Sequence, residues 1–210
     1  MRHLSILACL GLLVGCGSAS AEPGEATETT TGDETMDEPT ASEATDADTS
    51  DAADADRAVP EDEGPIAEVP FPWTEIRDAT PAGRTLVFQF REGGRVRYER
   101  WVFTDVSPEG YRSTSTPVDE NGAPTGEPEE DAGTWQQLEH HAHFPADATE
   151  ITNAVLTLPS GRYRCRLYTV TAGDAVQRFW FATDQAGPPV RMVREVRGET
   201  VIEMQIVSGS

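Results

Sequence analysis

All fifteen aromatic residues of this 210-residue chain lie between Phe71 and Phe181. Large apolar side chains are what offset the conformational entropy lost on folding, so a packed core is confined to this part of the chain. The stretch before it has the opposite character. Residues 17–66 carry 16 acidic residues against one base, Arg57, in a background mostly of Ala, Thr, Ser, Gly and Pro. High charge with few large apolar groups predicts a disordered linker, and fifty residues of such chain span about 40 Å. One folded domain is therefore expected over residues 67–210. The chain contains no lysine and has a net charge of −21. Phosphate recognition needs an excess of basic charge on some face, so nucleic acid is not an expected partner.

The organisation expected is a signal peptide over residues 1–15, a linker over 16–66 and a β-rich domain over 67–210. Residues 1–3, Met-Arg-His, precede an apolar run over residues 4–14. About 20 apolar residues are needed to span a bilayer, and a run of this length suits a secretory signal. At its end Leu13-Val14-Gly15-Cys16 resembles the lipobox of bacterial lipoproteins. That resemblance implies cleavage before Cys16, acylation of Cys16 and residence in the envelope of a Gram-negative cell. Each buried methylene contributes about 0.8 kcal/mol, so two or three acyl chains hold firmly where one does not. Gly17 stands where an aspartate would resemble an inner-membrane retention signal, so the resemblance favours the outer membrane, at its periplasmic face or its surface.

From Pro70 onward, alternating apolar runs are separated by turn residues, the pattern of short antiparallel strands. Leu86, Phe88 and Phe90 alternate with Thr85, Val87 and Gln89, and Glu92-Gly93-Gly94 turns the chain into a strand over 95–106. In that strand the apolar phase shifts between Val96/Tyr98 and Trp101/Phe103, which predicts a bulge midway. Further strands are expected over 111–118, 150–158, 162–170, 176–183, 190–196 and 201–207, with a weaker one over 122–131. Thr134 reads as the N-cap of a helix bearing the stripe Trp135, Leu138 and Ala142 and stopping before Pro145. A short helix over 73–79 is a lesser expectation. The fold class expected is mostly β: an antiparallel meander of eight or nine strands forming a half-open barrel or sandwich, with one mid-chain helix on its concave face or at one end. In the strand over 176–183, Phe179 and Phe181 occupy one face and Trp180 the other. The helix or the Phe71-Pro72-Trp73 segment is expected to cover that second face.

Residues 161–170, Gly-Arg-Tyr-Arg-Cys-Arg-Leu-Tyr-Thr-Val, then 178–184, Arg-Phe-Trp-Phe-Ala-Thr-Asp, and the Gly187-Pro188-Pro189-Val190 run resemble the carboxy-terminal half of uncharacterised periplasmic and lipoprotein β domains. The match covers about thirty residues, its motifs are structural, and it implies no reaction. The shape expected is also similar to the half-barrel of periplasmic lipoprotein carriers.

Three groups of residues have a pattern with chemical meaning. Phe88, Phe90, Trp101, Phe179 and Phe181 would line a concave face able to hold an apolar, lipid-like ligand. Arg162, Arg164 and Arg166 share a strand face, with Arg178 across the hairpin, and would receive an anionic head group or cell-wall carboxylate. His140 and His143, with Glu139, have the i, i+3 and i, i+4 spacing of metal ligands on one helix face. Cys165 reads as a small buried hydrophobe. Gly-x-Ser-x-Gly, Ser-x-x-Lys and His-Glu-x-x-His patterns are absent from the sequence, so neither an enzyme nor a cofactor is expected. The function expected is that of a membrane-tethered, non-catalytic domain that binds an envelope protein, cell-wall polymer or lipid. Carriage of an apolar ligand is the first alternative and metal handling the second.

Overall fold

A computed structural model describes residues 64–209. The signal peptide, Cys16 and nearly all of the linker lie outside the described residues. Nine strands are present: β1 Thr85–Glu92, β2 Arg95–Val106, β3 Gly110–Val118, β4 Glu129–Thr134, β5 Thr149–Leu158, β6 Gly161–Ala172, β7 Ala175–Ala182, β8 Arg191–Val196 and β9 Glu199–Gly209. They form one antiparallel sheet in the order β4-β3-β2-β1-β9-β8-β7-β6-β5. The first four strands run outward to one edge and the last five return from the other. The two halves join where β9 pairs with β1, Phe88 opposite Ile206 and Phe90 opposite Met204. β4 and β5 do not meet, so the sheet stays open, and among the described residues there is no second sheet to make a sandwich.

Two short helices accompany the sheet, the expected mid-chain one and the one given as a lesser expectation over 73–79. α1, Trp73–Asp78, follows Pro72, whose fixed φ suits a helix entry. α2, Trp135–His140, opens with the expected cap: Gln137 N donates to Thr134 Oγ1 at 3.2 Å and Thr134 N to Gln137 Oε1 at 2.8 Å, a reciprocal capping box. α2 is shorter than its apolar stripe indicates. Beyond His140 the chain tightens into i to i+3 bonds, Ala142 N to Glu139 O and His143 N to His140 O. The approaching Pro145 disfavours helical backbone just ahead of it.

The face of β7 that carries Phe179 and Phe181 receives both covering segments. Phe144, after α2, stacks on Phe179 at 4.8 Å, and Phe71, before α1, meets Phe181 edge-on at 6.4 Å. The expectation that one segment would cover the Trp180 face is corrected. Trp180 is met there by the Arg191 guanidinium, 5.3 Å from its ring. Register corrects β2 as well. Arg97, Glu99 and Trp101 pair with Phe90, Phe88 and Leu86 and so share the inner face, while Tyr98 pairs with Gln89 on the outer. The strand holds its phase through Tyr98 and Trp101. The irregularity falls later, between Phe103 and Asp105, and lets both Phe103 and Val106 turn inward to the core.

Candidate functional site

Of the five aromatics expected to line an apolar concavity, Phe88, Phe90 and Phe179 are core residues with almost no exposure, packed against protein. Phe88 lies 5.0 Å from the Trp101 ring and Phe179 beneath Phe144. The concave face is thus a covered one, closed over these rings by the Phe71 and Phe144 segments. Trp101 and Phe181 do border free space, a cavity of about 70 Å³ closed by Phe71 and Ile76 on one side and by Leu138 and Ala142 on the other. Its lining is apolar. His141 reaches its edge, and burial first, then the charge of His140, hold its imidazole below the ordinary histidine pKa, with Asp131 opposing.

The arginines divide by face. Arg162, Arg164 and Arg166 pair with Thr157, Val155 and Asn153 and share one face of β6. Arg178 pairs with Thr169 and projects from the other face, where it meets Glu195 at 2.8 Å, so it is not part of the ladder. Arg166 is engaged by Glu68 in a two-point bridge at 3.0 and 2.8 Å. That hydrogen bond, and then the charge behind it, hold the Glu68 carboxyl below its usual range. Arg162 and Arg164 are exposed and have no ion-pair partner among the described residues. Beside them β5 is a sheet edge of ten residues with one charge, Glu150, and with Val155 60% exposed. The anchoring of Glu68 belongs to a wider contact: Ala146 N donates to Pro65 O and Ala67 N to Phe144 O, both at 2.8 Å.

The histidines are brought together as their spacing indicates, His140 and His143 with ring centroids 4.5 Å apart. Glu139 is shared between two duties. One oxygen accepts from the Trp73 backbone N–H at 2.5 Å, serving the first turn of α1, and the other lies 3.4 Å from His143 Nε2. Among the described residues no three His, Cys, Asp or Glu side chains converge on a metal position. Cys165 is buried as expected, and that burial, with Asp184 adding to it, pushes its thiol up to about 11. Arg84 is the residue that sequence reasoning missed. It follows the Gly83 turn with nothing around it in the sequence to mark it, yet its guanidinium is half-buried beside a second, larger cleft.

Among the described residues no helix is long and apolar enough to cross a membrane. No protein-family model and no curated protein matches the chain. Among solved structures it is similar to MucB of Pseudomonas aeruginosa, solved in complex with MucA, at 12% identity and a TM-score of 0.45 over 66% of this chain and 55% of that one. An exported protein with a YmcC-like fold from Bacteroides fragilis is similar at 9% identity and a TM-score of 0.41, over 62% of this chain and 97% of that one. The chain thus spans little more than half the length of MucB. Likenesses this slight carry no conclusion about activity, ligand or partner.

Proposed function

We propose that the chain is a lipid-anchored envelope protein in which Cys16 carries the acyl chains, residues 17–66 act as an acidic spacer and the β domain is a non-catalytic binding module, held at the outer membrane. The lipobox resemblance at Leu13-Val14-Gly15-Cys16 supports the anchor. The observation that carries the binding role is the pairing of two uncompensated cations, Arg162 and Arg164, with the long, nearly uncharged edge of β5. An unpaired edge offers backbone donors and acceptors, and bare guanidinium groups beside it select a carboxylate-rich partner. A peptidoglycan polymer or an acidic envelope protein has that chemistry. The raised values of Tyr111, about 12, and of Cys165 follow from burial in the core and call for no catalytic role.

Sedimentation of the full-length protein with purified peptidoglycan tests the binding role. Saturable co-sedimentation that is lost in the Arg162→Glu/Arg164→Glu double variant is the expected result. Co-sedimentation unchanged in that variant removes the ladder from the account.

A second reading, carriage of an apolar ligand, is favoured by the 70 Å³ apolar cavity beneath α1 and α2. Ligand pockets run to about 300–1,000 Å³, so an acyl chain enters only if that cover lifts. Native mass spectrometry of the full-length protein decides it: adducts of lipid mass beyond the N-terminal acyl groups support carriage, and their absence opposes it.

A further inference from the structure

A second cleft, larger than the apolar cavity, opens beside Arg84 and the end of β9. It has a volume of about 640 Å³ and is bounded by Arg84, Leu86 and Tyr163, by Asp184 and Gln185 of the β7–β8 connection, and by the end of β9. Two features of it keep hydrogen-bonding capacity that the fold leaves unused.

The first is the Arg84 guanidinium. Nη1 is fully occupied, donating to Ala79 O at 3.0 Å, to Thr80 Oγ1 at 3.1 Å and to Ala186 O at 3.1 Å. Those acceptors are neutral. Nε and Nη2 have no hydrogen-bond partner, and no carboxylate pairs with Arg84, among the described residues. Burial holds this guanidinium below its ordinary pKa, the mark of a cation that loses water without gaining an opposite charge. Gly187 makes room for it. Gly187 has φ +140, and a Cβ there would stand 3.2 Å from Nη1 and 3.5 Å from Nη2. The backbone at Gly187 thus leaves room for the guanidinium, and Arg84 lines the cleft with Nε and Nη2 unused.

The second is a free strand edge. The last pair between β8 and β9 is Arg191 with Gln205. Ile206 still bonds on that side, its N–H to Val190 O and its carbonyl accepting from Ser160 Oγ. Beyond it, β9 continues through Val207, left without a β1 partner at the register shift between Val87 and Phe88, to Ser208 and Gly209, which pair only with Val87 and Leu86 of β1. Val207, Ser208 and Gly209 all line the cleft. A short unpaired edge running toward an uncompensated guanidinium has the two elements by which a chain terminus is recognised: main-chain pairing for an extended segment and a fork of N–H donors for a terminal carboxylate.

We infer that this cleft binds the C-terminal end of an extended peptide, its last residues paired along Val207–Gly209 and its carboxylate on Nε and Nη2 of Arg84. The exposed carboxylate of Asp184 at the rim disfavours an acidic residue just before the terminus. The site is separate from the Arg162/Arg164 ladder and stands or falls without it.

The test uses the full-length protein and a fluorescent hexapeptide, Ala-Thr-Val-Thr-Val-Ala, prepared with a free C-terminal carboxylate and with a C-terminal amide. Hydrogen bonds to a charged group contribute about 1.5–3 kcal/mol, so the free acid should bind at least about tenfold more tightly than the amide. NMR on the unaltered protein should show the Arg84 Nε–H and the amides of residues 207–209 shifting with the free acid. Arg84→Gln should abolish the difference between acid and amide. Because Arg84 also ties down the end of α1, the NMR shifts provide a readout that needs no variant. Equal binding of acid and amide, saturation without shifts at Arg84 and residues 207–209, or no binding of the acid at millimolar concentration overturns the inference. Decanoate shifting the same resonances as strongly as the peptide overturns the peptide assignment in favour of a fatty acid.

Discussion

Cys165 shows how completely packing can set the chemistry of one side chain. It sits on β6 between Ala154 of β5 and Ala182 of β7, two small neighbours that leave just enough room for a thiol. With the pKa pushed up to about 11 by burial, almost no thiolate exists near neutrality, and the thiolate is the reactive form. Cys165 should therefore remain unlabelled by a thiol reagent at about pH 8 in the native protein and label on unfolding, as read by mass of its peptide. Rapid native labelling would contradict the packing. Gly110 shows the same control through backbone. A Cβ there would stand 2.3 Å from the carbonyl oxygen of Gly133 across the β3–β4 pair. Neither strand can yield without breaking the ladder, so Gly110→Ala should destabilise by about 3 kcal/mol in denaturant titration. An effect under about 0.5 kcal/mol, the level of an ordinary surface change, would show that the strands yield.

At the scale of elements, α2 depends on its cap and on its covering role. A helix of six residues has little stability of its own. Thr134→Ala removes half of the capping box and should cost about 1 kcal/mol. The turn after α2 adds a dependence on pH. His141 has a lowered pKa in the folded state, so the unfolded chain takes up the proton first as pH falls. The unfolded state then binds more protons and stability drops with falling pH, beginning near the ordinary histidine pKa of about 6.5 and continuing down to the lowered folded value. His141→Gln should flatten the melting temperature across that interval, and an unchanged slope would assign it to another group. The elements also show what the sequence discloses. Turns written in local chemistry are legible: Arg197 and Gly198 both take positive φ, 53° and 82°, in the last hairpin, as a tight two-residue turn requires. The faces of β2 are not legible in the same way. Val96/Tyr98 and Trp101/Phe103 read as two apolar phases until register places Tyr98 opposite Gln89, whose Nε2 donates to the Tyr98 hydroxyl at 2.9 Å on the outer face. The β1–β9 pairing unites residues more than a hundred positions apart and leaves no local trace. Arg84 escapes notice in part for the same reason, since one of its three acceptors, Ala186 O, lies 102 residues away.

For the whole molecule, the open sheet and its cover make one inner core joined to two free edges. Phe144 connects cover to sheet through Phe179 and Tyr168. Phe144→Ala should cost about 3–5 kcal/mol and loosen α1 and α2 together, seen as hydrogen exchange rising in both. Exchange rising in α2 alone would show that the two segments are independent covers. The larger account places this body in the envelope by a covalent lipid at Cys16, with the acidic spacer between lipid and domain. The most direct measurement is fractionation of cells producing the Cys16→Ser protein beside the parent. The account predicts the parent in the membrane pellet and the variant in the soluble fraction or as uncleaved precursor. Mature variant protein that pellets with membranes to the same extent as the parent would contradict it.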